Sequence, residues 1–224
     1  MTRTKPAEQR RADLLAAGQA LFLAKGLTAT SLEDITNRAG VSKGLFYLYF
    51  HSKEDLVLAL QEQFSNQFAE RIRAAIEIPA SWTAKLDACA QASFECYRDL
   101  HDLHEVLFHH AGHAPHAGQA AQEAQAGPSR EHEPAHALLT QVIRDLFAEG
   151  TAAGAFDVAD PETTAALCYA SMHAFDEGFL GRDGPNDDRL VRAARQLFRR
   201  VAGVAGADRA GAPAKSPNVH RKGP

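Results

Sequence analysis

The chain has 224 residues, of which 45% are hydrophobic and 23% charged, which is the balance of a globular protein with one large or two smaller domains. No apolar run approaches the roughly 20 residues that span a bilayer, and the start of the chain is polar and basic, so we expect no membrane partner and no signal peptide. The net charge of −4 hides an asymmetry: residues 1–53 carry eight Lys or Arg and four Asp or Glu, a net of +4, and residues 54–224 carry 16 and 24, a net of −8. A basic end on an acidic body is expected when one end of a protein meets a polyanion.

The three cysteines, Cys89, Cys96 and Cys168, are an odd number in a long chain. This argues against a disulfide framework and indicates a reducing cytoplasm. Cys89 and Cys96 lie seven residues apart on one predicted helix, and a redox role for them stays open at this point.

The first predicted helix covers about residues 7–25, where apolar residues recur on one face: Leu14, Leu15, Leu21 and Phe22. Gly18 lies on the same face. A glycine inside a helix costs about 1 kcal/mol relative to alanine, unless it marks a place where another helix comes close. Gly26 follows the last predicted turn and is a typical helix stop.

Three more helices follow in quick succession. Thr30 with Glu33 fits a capping box at the start of the second helix, which ends at Gly40. Ser42 can cap a third and Ser52 a fourth. The predicted bounds are about 30–39, 43–49 and 53–76.

Every later periodic stretch also predicts helix, with no alternating strand pattern. Asp160 is predicted to cap a helix that has Pro161 at its first position. The expected segments are helix over 81–110 with a break, an Ala/Gln/Gly/His-rich connection over 111–130, and helices over about 132–153, 161–180 and 187–204. The sequence therefore predicts an all-α fold of about nine helices.

The segment from Ile35 to Leu45 predicts a helix-turn-helix, two helices joined by a three-residue turn that contains a glycine. Gly40 permits the turn. Val41 and Phe46 are expected to fill the angle between the two helices.

This segment resembles the TetR family of bacterial transcription regulators. The matching string is Gly40-Val41-Ser42-Lys43-Gly44-Leu45-Phe46-Tyr47-Leu48-Tyr49-Phe50, followed by Ser52-Lys53-Glu54. The preceding Gly26–Ser31 and Asp34-Ile35 also fit. The resemblance implies a DNA-binding domain at 1–53 and a ligand-binding and dimerisation domain at 54–205, and we expect a disordered tail at 206–224.

In that role the short helix from Lys43 fits a major groove. The residues that we expect to contact DNA are Thr30, Ser31, Ser42, Lys43, Gly44, Leu45, Tyr47, Tyr49 and Lys53. Only those from Ser42 to Leu45 are placed to read bases, with Leu45 on a thymine methyl, and the hydroxyls and Lys53 are expected to anchor phosphates. Phe46 and Phe50 are predicted to be core.

The resemblance also implies a homodimer and a pocket for a small-molecule effector between helices. The predicted dimer residues are Met172, Phe175, Phe179, Leu190, Leu197, Phe198 and Val201. The candidate pocket residues are Phe64, Phe68, Phe94, Tyr97, His104, Phe108, Tyr169, Met172 and Phe175. An effector that favours one spacing of the two reading helices would release the DNA.

Eight of the 11 histidines fall between His101 and His136, a density that raises the possibility of a metal site. The candidate ligands are His101, His104, His109 and His113, but no cysteine lies beside them at zinc spacing. We therefore expect neither metal nor another cofactor. A metal- or heme-sensing regulator is the alternative, and a metal-dependent enzyme is a more remote one, since no nucleophile, phosphate-loop or metalloprotease motif is present.

The sequence thus predicts a ligand-responsive, DNA-binding transcription regulator rather than an enzyme. We expect it to be a cytoplasmic homodimer that acts as a repressor on a palindromic operator in double-stranded DNA. The effector is not identified by any motif.

Overall fold

The computed structural model describes residues 6–109, 133–173 and 188–204. These residues form eight α-helices and one π-helical turn, with no strand among them, which confirms the all-helical prediction. In chain order the elements are α1 (Ala7–Lys25), α2 (Leu32–Ala39), α3 (Lys43–Phe46), α4 (Lys53–Glu77), α5 (Trp82–His104), the π turn (Glu105–His109), α6 (Glu133–Ala152), α7 (Pro161–His173) and α8 (Asp188–Val201).

Side-chain caps fix the starts of several helices. As predicted, Ser42, Ser52 and Asp160 each accept a hydrogen bond from a backbone N–H in the first turn that follows. The cap predicted for α2 is wrong by one residue. Ser31, not Thr30, accepts from the Asp34 N–H at 3.1 Å, and the Asp34 carboxylate accepts from the Ser31 N–H in return.

Several helix bounds differ from those predicted. The third helix ends at Phe46 rather than near Tyr49, although turn hydrogen bonds continue to Phe50. The break expected within 81–110 is the π turn after His104. The connection at 111–130, the end of the helix predicted to reach about 180 and the tail at 206–224 lie outside the described residues.

Close approach of α1 and α4 explains the glycine inside α1. A Cβ on Gly18 would lie 2.6 Å from Leu56 Cδ2, inside van der Waals contact. The glycine therefore marks the crossing of two helices, as the sequence suggested. This crossing joins the amino-terminal helices to the first helix of the body.

The body is built around α5, which packs against α4 on one side and α8 on another, while α6 packs against α4 and α7. Polar bonds fasten α8 to α5, where Arg199 donates to Asp87 (Nε to Oδ1, 2.7 Å) and Arg195 donates to Gln91. Within the described residues, no helix combines the length and apolar character needed to cross a membrane.

Candidate nucleic-acid interface

The turn between α2 and α3 has the geometry of a helix-turn-helix. Gly40 adopts a left-handed conformation with φ of 67°, which L side chains rarely adopt. The Val41 N–H donates to the Thr36 carbonyl at 3.0 Å, and the Ser42 hydroxyl accepts from the Leu45 N–H at 3.2 Å. These local bonds set the direction in which α3 leaves the turn.

Two phenylalanines anchor one side of α3. Phe46 is completely buried and Phe50 is nearly so, with ring centroids 5.6 Å apart. Both are core, as predicted. Because they hold one side of the helix against the interior of the fold, the opposite side is turned outward.

The outward side carries most of the predicted DNA-contacting residues. Ser42, Lys43, Gly44 and Tyr47 are exposed, while Leu45 and Tyr49 are half-buried. Tyr47 exposes 54% of its surface although its ring edge packs against Phe46. The structure thus brings six of the nine predicted residues onto one short, accessible segment.

Lys43 has an acidic neighbour on α2. Its ammonium nitrogen lies 3.9 Å from a Glu33 carboxylate oxygen, and both side chains are exposed. An exposed pair at this separation contributes less than about 1 kcal/mol. The lysine can therefore exchange the carboxylate for a phosphate at little cost.

The predicted phosphate contact by Thr30 is wrong. This side chain is 1% exposed, and its hydroxyl donates to the Gly26 carbonyl at 2.8 Å. A buried hydroxyl bonded to the backbone cannot reach a duplex. The neighbouring Ser31 is exposed, but its hydroxyl already belongs to the α2 cap.

Lys53 was predicted to anchor a phosphate, but in the structure its ammonium group is bonded to backbone carbonyls of the chain itself. Nζ donates to the Leu27 carbonyl at 2.9 Å and to the Thr30 carbonyl at 3.1 Å. It therefore ties the α1–α2 loop to the start of α4. We assign it as a positioning residue for the helix-turn-helix.

An ion pair ties α2 to the end of α1. Lys25 Nζ lies 2.7 Å from Asp34 Oδ2. This ammonium, together with hydrogen bonds from the Ser31 side chain and backbone, holds the pKa of Asp34 well below its ordinary value. Asp34 is therefore ionised at neutral pH and fixes the orientation of α2.

Sequence reasoning missed a cation beside α3. The Arg11 guanidinium carbon lies 5.4 Å from the centroid of the Phe50 ring, a cation–π distance. This places a positive charge of α1 next to the turn that follows α3. No local spacing could reveal it, since the two residues are far apart in the chain.

Four of the predicted pocket residues form one group, here called the aromatic cluster: Phe64, Tyr97, His104 and Phe108. The His104 ring lies 5.7 Å from Phe64, 5.4 Å from Tyr97 and 5.0 Å from Phe108, between centroids. Phe68, Phe94 and Met172 are buried in the core, and Tyr169 is half-buried. Phe175 lies outside the described residues.

The π turn supplies a polar link to α4 that the sequence did not reveal. Gln61 Nε2 donates to the Leu107 carbonyl at 2.7 Å, in a buried position. A π turn leaves carbonyls without their usual helical partners, and a side chain can take them up. Gln61 thus joins α4 to the π turn, which carries Phe108 of the aromatic cluster.

The predicted dimer residues fall into two groups in the structure, those buried in the core and those that remain partly exposed. Phe198 is fully buried and packs on Phe147, with centroids 6.3 Å apart, and Met172 is 1% exposed. Both serve the core of their own chain, so their assignment to the dimer interface is wrong. Leu197 is 38% exposed, while Leu190 and Val201 are half-buried. Phe175 and Phe179 lie outside the described residues.

The predicted histidine cluster is only partly described. His101 and His104 lie on α5, the first half-buried beside Tyr97 and the second buried in the aromatic cluster. The side chain of His109 and all of His113 lie outside the described part of the chain. Among the described side chains, no three His, Cys, Asp or Glu residues come together as a metal site.

All three cysteines are buried and reduced. Burial raises the pKa of the Cys89 thiol to about 12 and that of Cys96 to about 11. Since the thiolate is the reactive form, these positions favour inert core cysteines over redox sensors.

Comparison with known proteins gives a consistent family. The model of the family described as "Bacterial regulatory proteins, tetR family" matches residues 14–60, which contain most of α1 and all of α2 and α3. The transcriptional repressor KstR2 of Mycobacterium tuberculosis is 35% identical over 92 residues, covering 41% of this chain and 46% of KstR2. The transcriptional activator FasR of Mycolicibacterium smegmatis is 32% identical over 90 residues, covering 40% of this chain and 41% of FasR. The chain thus spans less than half the length of these curated relatives.

Solved structures extend the likeness to most of the chain. A regulator of the TetR/AcrR family from Thermobifida fusca is 26% identical, with a TM-score of 0.58 over 85% of this chain and 96% of that one. The regulator FadR of Bacillus subtilis, solved with stearoyl-CoA, is 18% identical, with a TM-score of 0.64 over 87% of this chain and 99% of that one. The second likeness concerns the fold alone. Residues 14–60 thus match the TetR family of bacterial regulatory proteins, and the helical body shares the fold of the solved TetR/AcrR-family regulator from Thermobifida fusca.

Proposed function

We propose that this chain is a ligand-responsive transcription regulator that binds double-stranded DNA as a homodimer and represses until a small molecule releases it. The observation that carries the proposal is the exposed segment that begins with α3. Lys43, Gly44 and Tyr47 are exposed there, while Phe46 is buried in the core and anchors the helix. The proposed division is a DNA-binding domain at 1–53 and an effector and dimer domain at 54–205. Residues 206–224 are proposed as a disordered tail.

The exposed side of α3 offers the two kinds of contact that a DNA reader needs. Lys43 supplies a cation to phosphate or a guanine edge, and the Tyr47 hydroxyl can donate to a phosphate. At Gly44 an added Cβ would meet only the Ser42 hydroxyl oxygen, at 3.9 Å. Because this position is open, the backbone can approach a duplex closely.

Dimer formation would use the outward side of α7 and α8. Leu167 is 67% exposed and was missed in the sequence, and Leu197 is 38% exposed. We propose that these residues, with half-buried Leu190 and Val201, belong to the dimer face. Two reading helices on one palindromic site would then supply the affinity that one short helix lacks.

The effector would bind next to the aromatic cluster and act through α4. This helix carries Phe64 and Gln61 in the body, and it begins at Lys53, which holds the helix-turn-helix loop. A ligand that shifts the π turn would therefore move the helix that positions α3. FadR of Bacillus subtilis was solved with stearoyl-CoA, so this thioester is the first compound to test.

DNA binding is tested by fluorescence anisotropy with a mixed-sequence duplex at several salt concentrations. Lys43→Gln should weaken binding and lower the magnitude of the slope of log K against log salt by about 1.8 per dimer, because it removes from each subunit one cation that neutralises a phosphate. Tyr47→Phe should weaken binding with little change in the slope, and Gly44→Ala should bind more weakly although it meets no clash in the protein. Lys85→Gln on α5 is the matched control and should bind like wild type. Equal binding by all four variants would refute the proposed interface.

Repression and release need a separate experiment. A reporter gene placed behind the DNA selected by the protein should be expressed less when the protein is present. Higher expression would show an activator and contradict the proposed repression. Stearoyl-CoA added to the protein–DNA complex should lower the anisotropy if it is an effector. Phe64→Ala should remove that response while leaving DNA binding intact.

A further inference from the structure

A leucine with no assigned role lies in the exposed turn that follows α3. Leu48 exposes 75% of its surface, more than either tyrosine beside it. We propose that Leu48 is a specificity-determining residue that contacts the C5 methyl group of a thymine in the major groove. This inference rests on the proposed DNA-binding function and adds to it the chemistry of one read position.

The placement of Leu48 follows from the hydrogen bonds after α3. Its N–H donates to the Leu45 carbonyl at 3.2 Å, and the Phe50 N–H donates to the Phe46 carbonyl at 3.0 Å, so the helical turn continues through residue 50. At about 100° per residue, Leu48 lies about 180° from the midpoint of Phe46 and Phe50. The two buried rings therefore direct this leucine straight away from the core.

The neighbours of Leu48 complete a surface suited to a base edge. On the same projection Gly44 lies about 40° from it on one side and Leu45 about 60° on the other, which makes a small apolar patch with Leu48 at its middle. Tyr47 and Tyr49 lie about 100° away on either side. Hydroxyls that flank an apolar centre match a groove, where phosphates line both sides and methyl groups lie on the floor.

Charge and chemistry favour DNA over an apolar partner. Exposed Lys43 at the start of the same segment adds a positive charge. The thymine methyl is the one apolar group that the major groove offers in unmodified DNA. An exposed leucine in a cationic, hydroxyl-flanked site therefore fits a thymine better than it fits the surface of another protein.

The test begins with DNA selected by the wild-type protein from a random, unmodified duplex pool. Each thymine in the selected duplex is then replaced by deoxyuridine, which removes only the C5 methyl group. We expect one thymine in each half-site whose replacement weakens wild-type binding by about fourfold, the equivalent of one buried methyl group. Leu48→Ala cannot reach that methyl group and should bind both duplexes equally.

Matched variants separate this contact from general effects. Leu58→Ala removes a leucine that is 55% exposed on α4, and it should keep the full sensitivity to deoxyuridine. Leu48→Met keeps an apolar side chain and should keep part of the sensitivity. If Leu48→Ala remains as sensitive as wild type at every thymine, or if the selected DNA contains no thymine in its half-sites, the assignment is wrong.

Two other outcomes identify different failures. If wild-type protein selects no sequence and shows no salt-dependent binding, the proposed function itself fails. If Leu48→Ala changes the sedimentation of the DNA-free protein, the leucine contacts a second copy of the chain, and the thymine assignment is overturned. Circular dichroism of the variant confirms that the exposed substitution leaves the helices intact.

Discussion

The amino-terminal head (residues 7–52) and the helical body (residues 53–204) are held by contacts of different range. In the head, the bonds that set the turn join residues a few positions apart, as from Val41 to Thr36. In the body, Arg195 reaches Gln91 across 104 residues of sequence and Arg199 reaches Asp87 across 112. A short sequence motif can therefore predict the turn of the amino-terminal head, whereas the body depends on long-range packing that no local pattern reveals.

The largest expected effect concerns the core of the body. Phe198→Ala should lower the free energy of unfolding by about 3–5 kcal/mol, because the side chain is fully buried against Phe147. Urea unfolding at a fixed protein concentration measures this loss.

Leu197→Ala is the matched control at the preceding position of the same helix. It should change the unfolding free energy of one chain by less than about 0.5 kcal/mol and instead weaken dimer formation, seen by sedimentation. The reverse pattern, with Leu197 important for the fold and Phe198 for the dimer, would contradict the roles assigned to these two residues.

A pair of glycines compares packing in the two regions. A Cβ on Gly150 would lie 2.1 Å from two ring carbons of Phe156, and that ring is held by Phe147 and Trp82. Because the ring cannot move aside, Gly150→Ala should cost about 2–3 kcal/mol in thermal or urea unfolding.

Gly18→Ala should cost much less. Its Cβ would meet a terminal methyl group of Leu56 rather than a ring held on two sides, and alanine favours a helix over glycine by about 1 kcal/mol, so the net loss should stay below that amount. An equal loss at both sites would show that the α1–α4 crossing is packed as rigidly as the body.

Two lysines of the helix-turn-helix region should behave differently. Lys53→Met removes an ammonium that donates to two backbone carbonyls, so it should lower the unfolding free energy by about 1 kcal/mol. Lys43→Met breaks only an exposed pair and should change stability by less than about 0.5 kcal/mol. Its effect should fall on DNA binding instead. A stability loss at Lys43 equal to that at Lys53 would contradict these roles.

The smallest effect is an acid dependence of the head. The pKa of Asp34 is lowered in the folded chain by Lys25 and Ser31, so its carboxylate stabilises the fold above the ordinary pKa of 3.8. That contribution is lost as the pH falls below about 4. Between pH 6 and pH 3, the free energy of unfolding should fall less for Asp34→Asn than for the wild-type protein. Parallel curves for variant and wild type would show that Asp34 does not stabilise the head.

The local part of this structure was predictable from the sequence, and the long-range part was not. The caps at Ser42, Ser52 and Asp160 need only their own first turns, so the sequence revealed them. At α2 the sequence predicted Thr30 as the cap, but the Thr30 hydroxyl bonds to the Gly26 carbonyl, a bond that only the folded loop creates, and Ser31 caps the helix instead.

The candidate nucleic-acid interface was likewise predictable only where it depends on local sequence. The string from Gly40 to Phe50 pointed to the exposed segment that we propose as the DNA reader, but the positions of Thr30 and Lys53 depend on loop carbonyls that surround them in the fold. An amphipathic pattern on α8 likewise cannot tell whether an apolar residue such as Phe198 faces its own chain or a partner.

The central claim, that the outward side of α3 lies against double-stranded DNA, is tested most directly by site-specific crosslinking. A photoreactive aromatic amino acid replaces Tyr47, which is 54% exposed just after α3, or, as the control, Ile78, which is 86% exposed at the far end of α4. Irradiation with a mixed-sequence duplex at low salt should crosslink the protein to DNA from position 47 and not from position 78. Crosslinking from 78 alone, or equally from both, would contradict the claim.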